Sequence, residues 1–522
     1  MATTTDYYCT PELYEIIYSD FTADIPFWVE IAKAARGPVL ELCCGTGRVL
    51  IPCVEAGVAM EGLDAASAML DHCRAKLART GRTAELTVSD MRDFTRPRRY
   101  ALIVIPFSSF YHNLTRADQI ATLRRCREHL APGGRLMFQV FHPDLRKLLE
   151  NDGVPRLLKT IPHPEGGTVR VTDTGRADFI EQRLRIQREV EELDPGGAVR
   201  ARHELQFDFR YLWKPETELL LAATGFTRFE VQGGFGAARA PVAGGKPGVD
   251  GVAGLMTARP DDPPAVVLPS PFDDGAMYDA IFHGFDMDLD FWRAQAKTAG
   301  GAVLEAACGT GRVTLPMIEA GADVDGFDLF PAMLARLQAR ASERGLRVDA
   351  RVSDLRDFRM PRRYALIAIP FNAFLHNLTQ ADQLASLTRC REHLLPGGRL
   401  VMHVSFFGAA IIAASGGPPE LEYETRHPVT GRTLRLYDQR MMDPIEQIQH
   451  SINEVHELDE RGEVLAMHRS ETRVRWIGKP ELELLLAAAG FTRWRIDGGF
   501  AGQPLRSAED QMIVFAWADG NR

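Results

Sequence analysis

Three absences narrow the field before any motif is read. No stretch approaches the roughly 18 consecutive apolar residues that mark a membrane-spanning helix, so no membrane partner is expected. The opening MATTTDYYCTPELYEI has no basic segment followed by an apolar core, so no secretory leader is expected either. Lys and Arg are never gathered into a long run, and the net charge is −9, which makes duplex nucleic acid a poor partner. The cysteines form no CxxC pair, the usual mark of a zinc or redox site. Apolar material is ample, 45% of 522 residues, which fits two buried cores better than one.

The strongest internal signal is a repeat. Residues 100–136 read YALIVIPFSSFYHNLTRADQIATLRRCREHLAPGGRL, and residues 364–400 read YALIAIPFNAFLHNLTQADQLASLTRCREHLLPGGRL, with 28 of 37 positions identical. The same offset of 264 maps Tyr14 onto Tyr278, Trp28 onto Trp292, Asp64 onto Asp328 and Asp90 onto Asp354. After one insertion, Lys214-Pro215-Glu216 maps onto Lys479-Pro480-Glu481. A period this long is a duplicated domain, since solenoid units repeat every roughly 20–50 residues. The proline-rich stretch ARPDDPPAVVLPSPF, residues 258–272, reads as a stiff linker. The expected division is a domain over 1–258, a linker over 259–271 and a domain over 272–522. Of Cys9, Cys43, Cys44, Cys53, Cys73, Cys126, Cys308 and Cys390, only Cys44/Cys308 and Cys126/Cys390 recur between the halves. A disulfide framework or metal site would recur with the fold, so reduced thiols, no metal and a cytoplasmic setting are expected.

Each half opens with a helical pattern (LYEIIY; MYDAIF), then alternates short apolar runs with helices. The runs are Val39–Leu42 or Val303–Ala306, one ending at Asp64 or Asp328, one before Asp90 or Asp354, and Ala101–Phe107 or Ala365–Phe371. Continuous apolar strands alternating with helices predict an α/β fold: a mostly parallel sheet covered by helices on both faces. Around 168–212 and 432–476 the pattern shifts to alternation, as in EQRLRIQREVEELD, which predicts a small antiparallel cap.

Three acidic and glycine elements recur in order. The first is Val39-Leu-Glu-Leu-Cys-Cys-Gly-Thr-Gly-Arg48, matched by Val303-Leu-Glu-Ala-Ala-Cys-Gly-Thr-Gly-Arg312. Glycines at a strand-to-helix turn let a ligand approach the backbone, and the following helix offers free N–H groups. A dinucleotide fingerprint wants a third glycine where this chain has Leu50 or Thr314. The second element is Asp64 or Asp328, placed to accept from a ribose diol or to cap the next helix. The third is Asp90-Met91 or Asp354-Leu355, an acceptor for an exocyclic amine beside an apolar cover, or a simple turn acid.

Together these motifs resemble the class I S-adenosylmethionine-dependent methyltransferases, over roughly residues 10–235 and 274–500. The resemblance implies two tandem Rossmann-like domains with S-adenosylmethionine as cofactor and S-adenosylhomocysteine as product. It implies that Glu41 and Glu305 support the loop, and that Gly45, Gly47, Gly309 and Gly311 face the methionine part. Asp64 and Asp328 would take the ribose, and Asp90 and Asp354 the adenine amine. Tyr14, Trp28, Arg48, Ala65, Met69, Met91 and Pro106 would complete one pocket. Tyr278, Trp292, Arg312, Leu329, Met333, Leu355 and Pro370 would complete the other. Pro132–Gly134 and Pro396–Gly398 look like the family's turn before its fifth strand. The opening Tyr14, Tyr18 and Phe27-Trp28 resemble the subgroup acting on small molecules, including amine N-methyltransferases.

The fourth apolar run ends Ile105-Pro106-Phe107-Ser108 or Ile369-Pro370-Phe371-Asn372, without the Asn/Asp-Pro-Pro-aromatic signature of base-amino methyltransferases. A small-molecule acceptor and no nucleic acid are therefore expected. His112 and His376 follow within F-x-H-N-L-T, as candidate bases or as local loop pins. Cofactor positions match between halves, whereas Ser108/Asn372, Tyr111/Leu375 and Gln139/His403 differ, as does His142 against Phe406. The differing pairs are read as acceptor contacts. Four readings compete: a bifunctional small-molecule methyltransferase, one catalytic half with a pseudo-dimer partner half, a cofactor-sensing binding protein, and a nucleic-acid methyltransferase.

Overall fold

Strands that are buried on both faces need apolar side chains pointing both ways, and three of the four runs found in each half supply them, the run before Asp90 or Asp354 forming a partly exposed edge. In the computed structural model those three form the centres of two parallel sheets. The structure describes residues 5–6, 10–235, 270–405, 407–507 and 510–517. The chain divides into two units, Met1–Ala258 and Arg259–Arg522. Most of the expected linker, Cys9 and Phe406 lie outside the described residues.

In the N-terminal unit the sheet order is Leu86–Val88, Met60–Asp64, Val39–Leu42, Tyr100–Ile105, Leu130–Phe138, every pair parallel. Strand Val39–Leu42 is buried along its whole length. It sits where the strand order reverses, with Met60–Asp64 on one side and Tyr100–Ile105 on the other. Such a switch point leaves a crevice at the carboxyl ends of the strands. Helix Ile25–Ala34 packs Trp28 and Ala32 onto Val39, Leu102 and Val104.

The C-terminal unit repeats this order as Asp349–Val352, Val324–Asp328, Val303–Ala306, Tyr364–Ile369 and Leu394–Ser405. It then adds Gln511–Trp517, antiparallel to Leu394–Ser405, and Arg493–Asp497 beyond it. Sequence patterning singled out neither of these two strands. In the N-terminal unit residues 226–235 form no strand, and residues 236–269 lie outside the described part of the chain.

The cap is built on a four-stranded antiparallel meander in each unit: Pro155–Pro162, Thr168–Asp178, Arg183–Leu193 and Val199–Arg210, to which Thr5–Asp6 adds a short parallel edge, then Glu420–Arg426, Thr433–Asp443, Ile448–Leu458 and Val464–Arg475. Asp178 and Asp443 close the central hairpins by accepting from backbone N–H groups two and three residues on.

What fastens cap to sheet is a buried polar knot, present twice. Arg210, at the end of the last cap strand, donates to Glu216 at 2.5 Å and to Gln119 at 2.8 Å. Gln182, from the central hairpin, donates to the other Glu216 oxygen at 2.8 Å. In the other unit Arg475 donates likewise to Glu481 and Gln383, each at 2.6 Å, but Gln447 accepts from Arg475 at 3.1 Å instead of donating to the glutamate. Glu216 and Glu481 are both 0% exposed. The Lys-Pro-Glu repeat therefore marks a structural joint. Removing one partner of such a buried pair strands a charge, at a cost of about 3–5 kcal/mol. Arg475→Leu is expected to lower the C-terminal unit's urea-unfolding free energy by that amount. Joint replacement, Arg475→Met with Glu481→Leu, is expected to recover most of it. Equal losses in both variants would show that the knot does not act as a pair.

Candidate active sites

The glycine turn requires backbone conformations that most residues avoid. Cys43, Gly45 and Gly47 have φ of 56°, 54° and 81°, and Ala307, Gly309 and Gly311 have 58°, 53° and 80°. The two glycines of each turn have different reasons to be glycine. A Cβ on Gly47 would lie 2.6 Å from Cys73 Sγ, and one on Gly311 would lie 2.2 Å from Leu337 Cδ1. These glycines permit helix packing. A Cβ on Gly45 would meet nothing within 4 Å, and one on Gly309 would meet only Met333 Cε at 3.5 Å. The first glycine of each pair thus has open space at its own Cβ position, while Gly47 is packed at its Cβ position and still presents backbone to a cavity beside Arg48.

Asp64 organises the turn. Its two oxygens accept from the N–H of Gly45 and of Ala66, each at 2.8 Å. Asp328 accepts from Gly309 at 2.8 Å and Phe330 at 2.9 Å. The cap role and the ligand role are compatible, because each oxygen keeps a second lone pair. Burial pushes both carboxyls above the usual range. Ala65 and Leu329 follow as exposed residues, while Met69 and Met333 lie buried in the helix behind.

Asp90 and Asp354 sit at the ends of the third strands in tight pairs with Arg92 and Arg356, at 2.6 Å, which hold their carboxyls below the usual range. Both arginines also reach the first turn of the next helix, at Asp118 or Asp382. Met91 is buried, with its sulfur 3.8 Å from Cys43 Sγ, whereas Leu355 is half-buried. The arginines were missed in the sequence, although SDMRDF and SDLRDF carry them in register.

Arg48 and Arg312 make bidentate pairs with Asp24 and Asp288 at 2.6 and 2.8 Å. Each guanidinium also donates to a backbone carbonyl, of Phe21 or Phe285. It lies over two rings, Phe21 and Phe107 or Phe285 and Phe371. Tyr14 and Tyr18, or Tyr278 and Phe282, extend this aromatic wall. Tyr14 and Tyr278 have their phenols raised by burial and stand within electrostatic reach of Arg48 and Asp64, or of Arg312 and Asp328. Trp28 and Trp292 are placed otherwise than the cofactor reading supposed. Both are core residues, 2% and 0% exposed, whose indole N–H donates to Asp24 or Asp288. Their helix must bury its apolar face, and the large ring fills the sheet side of it.

After Pro106 and Pro370 the chain makes a sharp corner. Phe107 and Ser108 have φ of 57° and 56°, and Phe371 and Asn372 have 52° and 62°. Consecutive left-handed residues that are not glycine cost of order 1–3 kcal/mol each and persist only when neighbours hold them. The units hold them differently. Gln139 reaches across from the fifth strand to accept from Phe107 N–H at 2.9 Å. In the other unit Asn372 reaches the opposite way, donating to Ser405 Oγ at 2.8 Å and accepting from Ser405 N–H at 2.6 Å.

That exchange frees His403. It is 2% exposed, neither ring nitrogen has a partner in hydrogen-bond geometry, and the Phe500 ring packs on it at 5.1 Å. Gln511 Oε1 is buried and unpaired nearby. Tyr111 and Leu375, read as acceptor contacts, are both fully buried, with the Tyr111 hydroxyl donating to the Phe141 carbonyl. They sit on the inward side of 3-10 turns whose helical pitch drives every third residue into the core. His112, on the turn Ser109–His112, faces Phe209 of the cap at 4.9 Å. His376, on Ala373–His376, stands 5.3 Å from Phe272. No helix among the described residues is long and apolar enough to cross a membrane, and no acid, His or Cys cluster among them could hold a metal ion.

Burial drives the His403 imidazole down to about 4, with the charge of Asp288 opposing. The unfolded chain then binds the proton first as pH falls, so this group's contribution to stability is full above about 6.5 and is lost between 6.5 and 4, at roughly 1.4 kcal/mol per pH unit. Calorimetric unfolding of the C-terminal unit is expected to show this acid slope, reduced in His403→Gln. An unchanged slope in that variant would place the titration elsewhere.

Comparison with known proteins agrees with the geometry. A family model described as a methyltransferase domain matches residues 39–134 and again 303–398. The cypemycin N-terminal methyltransferase of a Streptomyces species is 28% identical over 176 residues, 33% of this chain and 69% of that protein. The dTDP-3-amino-3,6-dideoxy-alpha-D-glucopyranose N,N-dimethyltransferase of Streptomyces fradiae is 31% identical over 130 residues, 24% of this chain and 49% of that protein. The crystal structure of the CcbJ methyltransferase from Streptomyces caelestis aligns over 48% of this chain and 99% of its own, at 20% identity and a TM-score of 0.38. The two family matches repeat at the 264-residue offset and span both glycine turns with their acids. The chain therefore carries two methyltransferase domains in tandem, and in both it is similar to the class I S-adenosylmethionine-dependent methyltransferases.

Proposed function

We propose that both units are catalytic and methylate a nitrogen or oxygen of a small-molecule acceptor, either at two positions or in two successive steps. The observation that carries this reading is the strained corner after the fourth strand, present twice and held by a different device each time. A dead copy would have no cause to keep two left-handed residues beside the cofactor turn. Two relatives that this chain resembles are named for methylation of nitrogen, on a peptide N-terminus and on an amino sugar. The cofactor supplies a methyl group already activated by its sulfonium.

The chain's own residues do the rest. Gly45 and Gly309 admit the methionine part, and Asp64 and Asp328 take the ribose hydroxyls. Asp90 and Asp354, fixed by Arg92 and Arg356, take the adenine amine. The aromatic walls around Arg48 and Arg312 exclude water from the place where charge on sulfur is lost. His112 and His376 stand at the cap, where a neutral imidazole can take the proton of an incoming amine or hydroxyl. Ser108 and Gln139, against Asn372 and His403, give the pockets different polar rims, so the acceptors differ as well. A hydrogen-bonding site can reject an unmatched analogue by about 10⁴-fold.

Two measurements test this. Asp64→Ala and Asp328→Ala are each expected to weaken S-adenosylhomocysteine binding at their own site only, by about 1.5–3 kcal/mol. Calorimetric titration that shows no change at either site removes the ribose assignment. Gly45→Arg and Gly309→Arg block the turns one at a time. With an amino-sugar nucleotide and peptide panel as acceptors, mass spectrometry is expected to show different products or different methylation stages for the two variants. Identical products at half the rate mean redundant sites, and activity lost in one variant alone means a single catalytic unit.

A further inference from the structure

The matched motifs conceal a difference in how the two glycine turns are held. In the C-terminal unit, Arg340 on helix Pro331–Glu343 donates to the Thr310 carbonyl at 3.0 Å and to its hydroxyl at 3.1 Å. The same guanidinium reaches Asp279 on the opening helix Gly275–Ile281 at 3.0 Å, and Arg336 adds a bond to Asp279 at 2.7 Å. One side chain thus fastens the opening helix to the turn. Behind the turn, the Thr314 hydroxyl donates to Glu305 Oε2.

In the N-terminal unit Lys76 replaces Arg340, and Glu15 replaces Asp279. Lys76 pairs with Glu15 at 2.7 Å and makes no bond to the turn. Leu50 replaces Thr314 and has no hydroxyl. As a result, Thr46 Oγ1 and Glu41 Oε2 are buried with no partner among the described residues, whereas both counterparts are paired. A cavity of about 260 Å³ opens at this place, lined by Tyr14, Tyr18, Gly47, Arg48 and Lys76 among others.

The longer Arg340 side chain carries its Nη1 to the opening helix and the turn together, whereas the Lys76 ammonium ends on the acid of the opening helix alone. A turn already fixed loses little freedom on binding, while one left unsatisfied must be ordered by its ligand. We propose that the two cofactor sites are unequal. The C-terminal site is preorganised and tight, and the N-terminal site is weaker because the cofactor itself must order its turn. Arg340 and Thr314 are positioning residues, since neither needs to touch the cofactor. When cofactor is scarce the C-terminal unit is loaded first, so cofactor supply sets the order of methylation. This rests on the reading that both turns bind the cofactor.

The probe is S-adenosylhomocysteine, which binds without turnover, titrated calorimetrically into the full chain. Two phases are expected, with dissociation constants about tenfold or more apart, or about 1.4 kcal/mol. Asp328→Ala is expected to remove the tight phase and Asp64→Ala the weak one. The double change Lys76→Arg with Leu50→Thr transplants the latch and is expected to tighten the N-terminal site about fivefold to tenfold, a gain that a purely structural role would not produce. Arg340→Lys, with circular dichroism melting unchanged, is expected to loosen the C-terminal site by a similar factor. Two indistinguishable sites, or a tight phase that disappears with Asp64→Ala, overturn the proposal. A folded chain that binds at neither site overturns the cofactor reading beneath it, and the latch falls with it.

Discussion

The carboxylate at the end of the second strand is the constraint on which each site depends. Asp64 receives one backbone N–H from the glycine turn and one from the start of the following helix, and Asp328 does the same. With the Cys44 N–H bond to the Leu63 carbonyl, this acceptor anchors the left-handed residues at 43, 45 and 47 on the neighbouring strand. Two strand ends are thereby locked side by side at the switch point of the sheet. The acid is stiff before any ligand arrives, so its free lone pairs point where a diol can use them. The same two backbone bonds are made in both halves, which explains why the acid's position relative to the turn is the same in each.

The fourth-strand corner is a second constraint, and it shows how a duplicated domain can diverge without losing its shape. The backbone conformation is the same in both units, yet Gln139 holds one corner from the fifth strand and Asn372 holds the other from the corner itself. Once Asn372 had taken over, the residue opposite Gln139 was released from that duty. His403 now occupies the place with its ring unpaired and neutral. The two changes are coupled: exchanging Gln139 or Asn372 alone would remove the side-chain bond that ties its corner to the neighbouring segment. The differences between the units at this corner are therefore compensated differences.

The parallel sheets, the antiparallel caps and the three acidic elements were legible because each has its own period or spacing, and because the repeat displayed each of them twice. Residues whose role depends on the packing behind them were not legible. Trp28 and Trp292 sit in the opening segment but point into the core, and a helix's buried face is decided by the sheet it meets. Tyr111 and Leu375 differ between halves as an acceptor contact would, yet both are buried, so divergence alone did not distinguish a pocket wall from a repacked core. Asp24 and Asp288 recur at the offset and were passed over, because an acid four residues before a tryptophan looks like a helix cap until its arginine partner is seen. The two added strands of the C-terminal sheet were missed because QMIVFAW is a short apolar run at the end of a domain, with no alternation to mark an antiparallel strand.

The latch belongs to the same class of hidden difference. Arg340 and Lys76 are both cations on the same helix face, and composition or charge counting treats them alike. The distinction lies in reach, since Arg340 Nη1 arrives where helix and turn meet while the Lys76 ammonium stops at Glu15. Thr314 and Leu50 compound it, because a hydroxyl one bond away decides whether a buried carboxyl is satisfied. None of these residues has to touch a ligand, so they can change while every ligand contact is kept. A duplicated enzyme can in this way keep the same glycines and acids in both turns and still give them different affinities, by altering what holds the turn in place before anything binds.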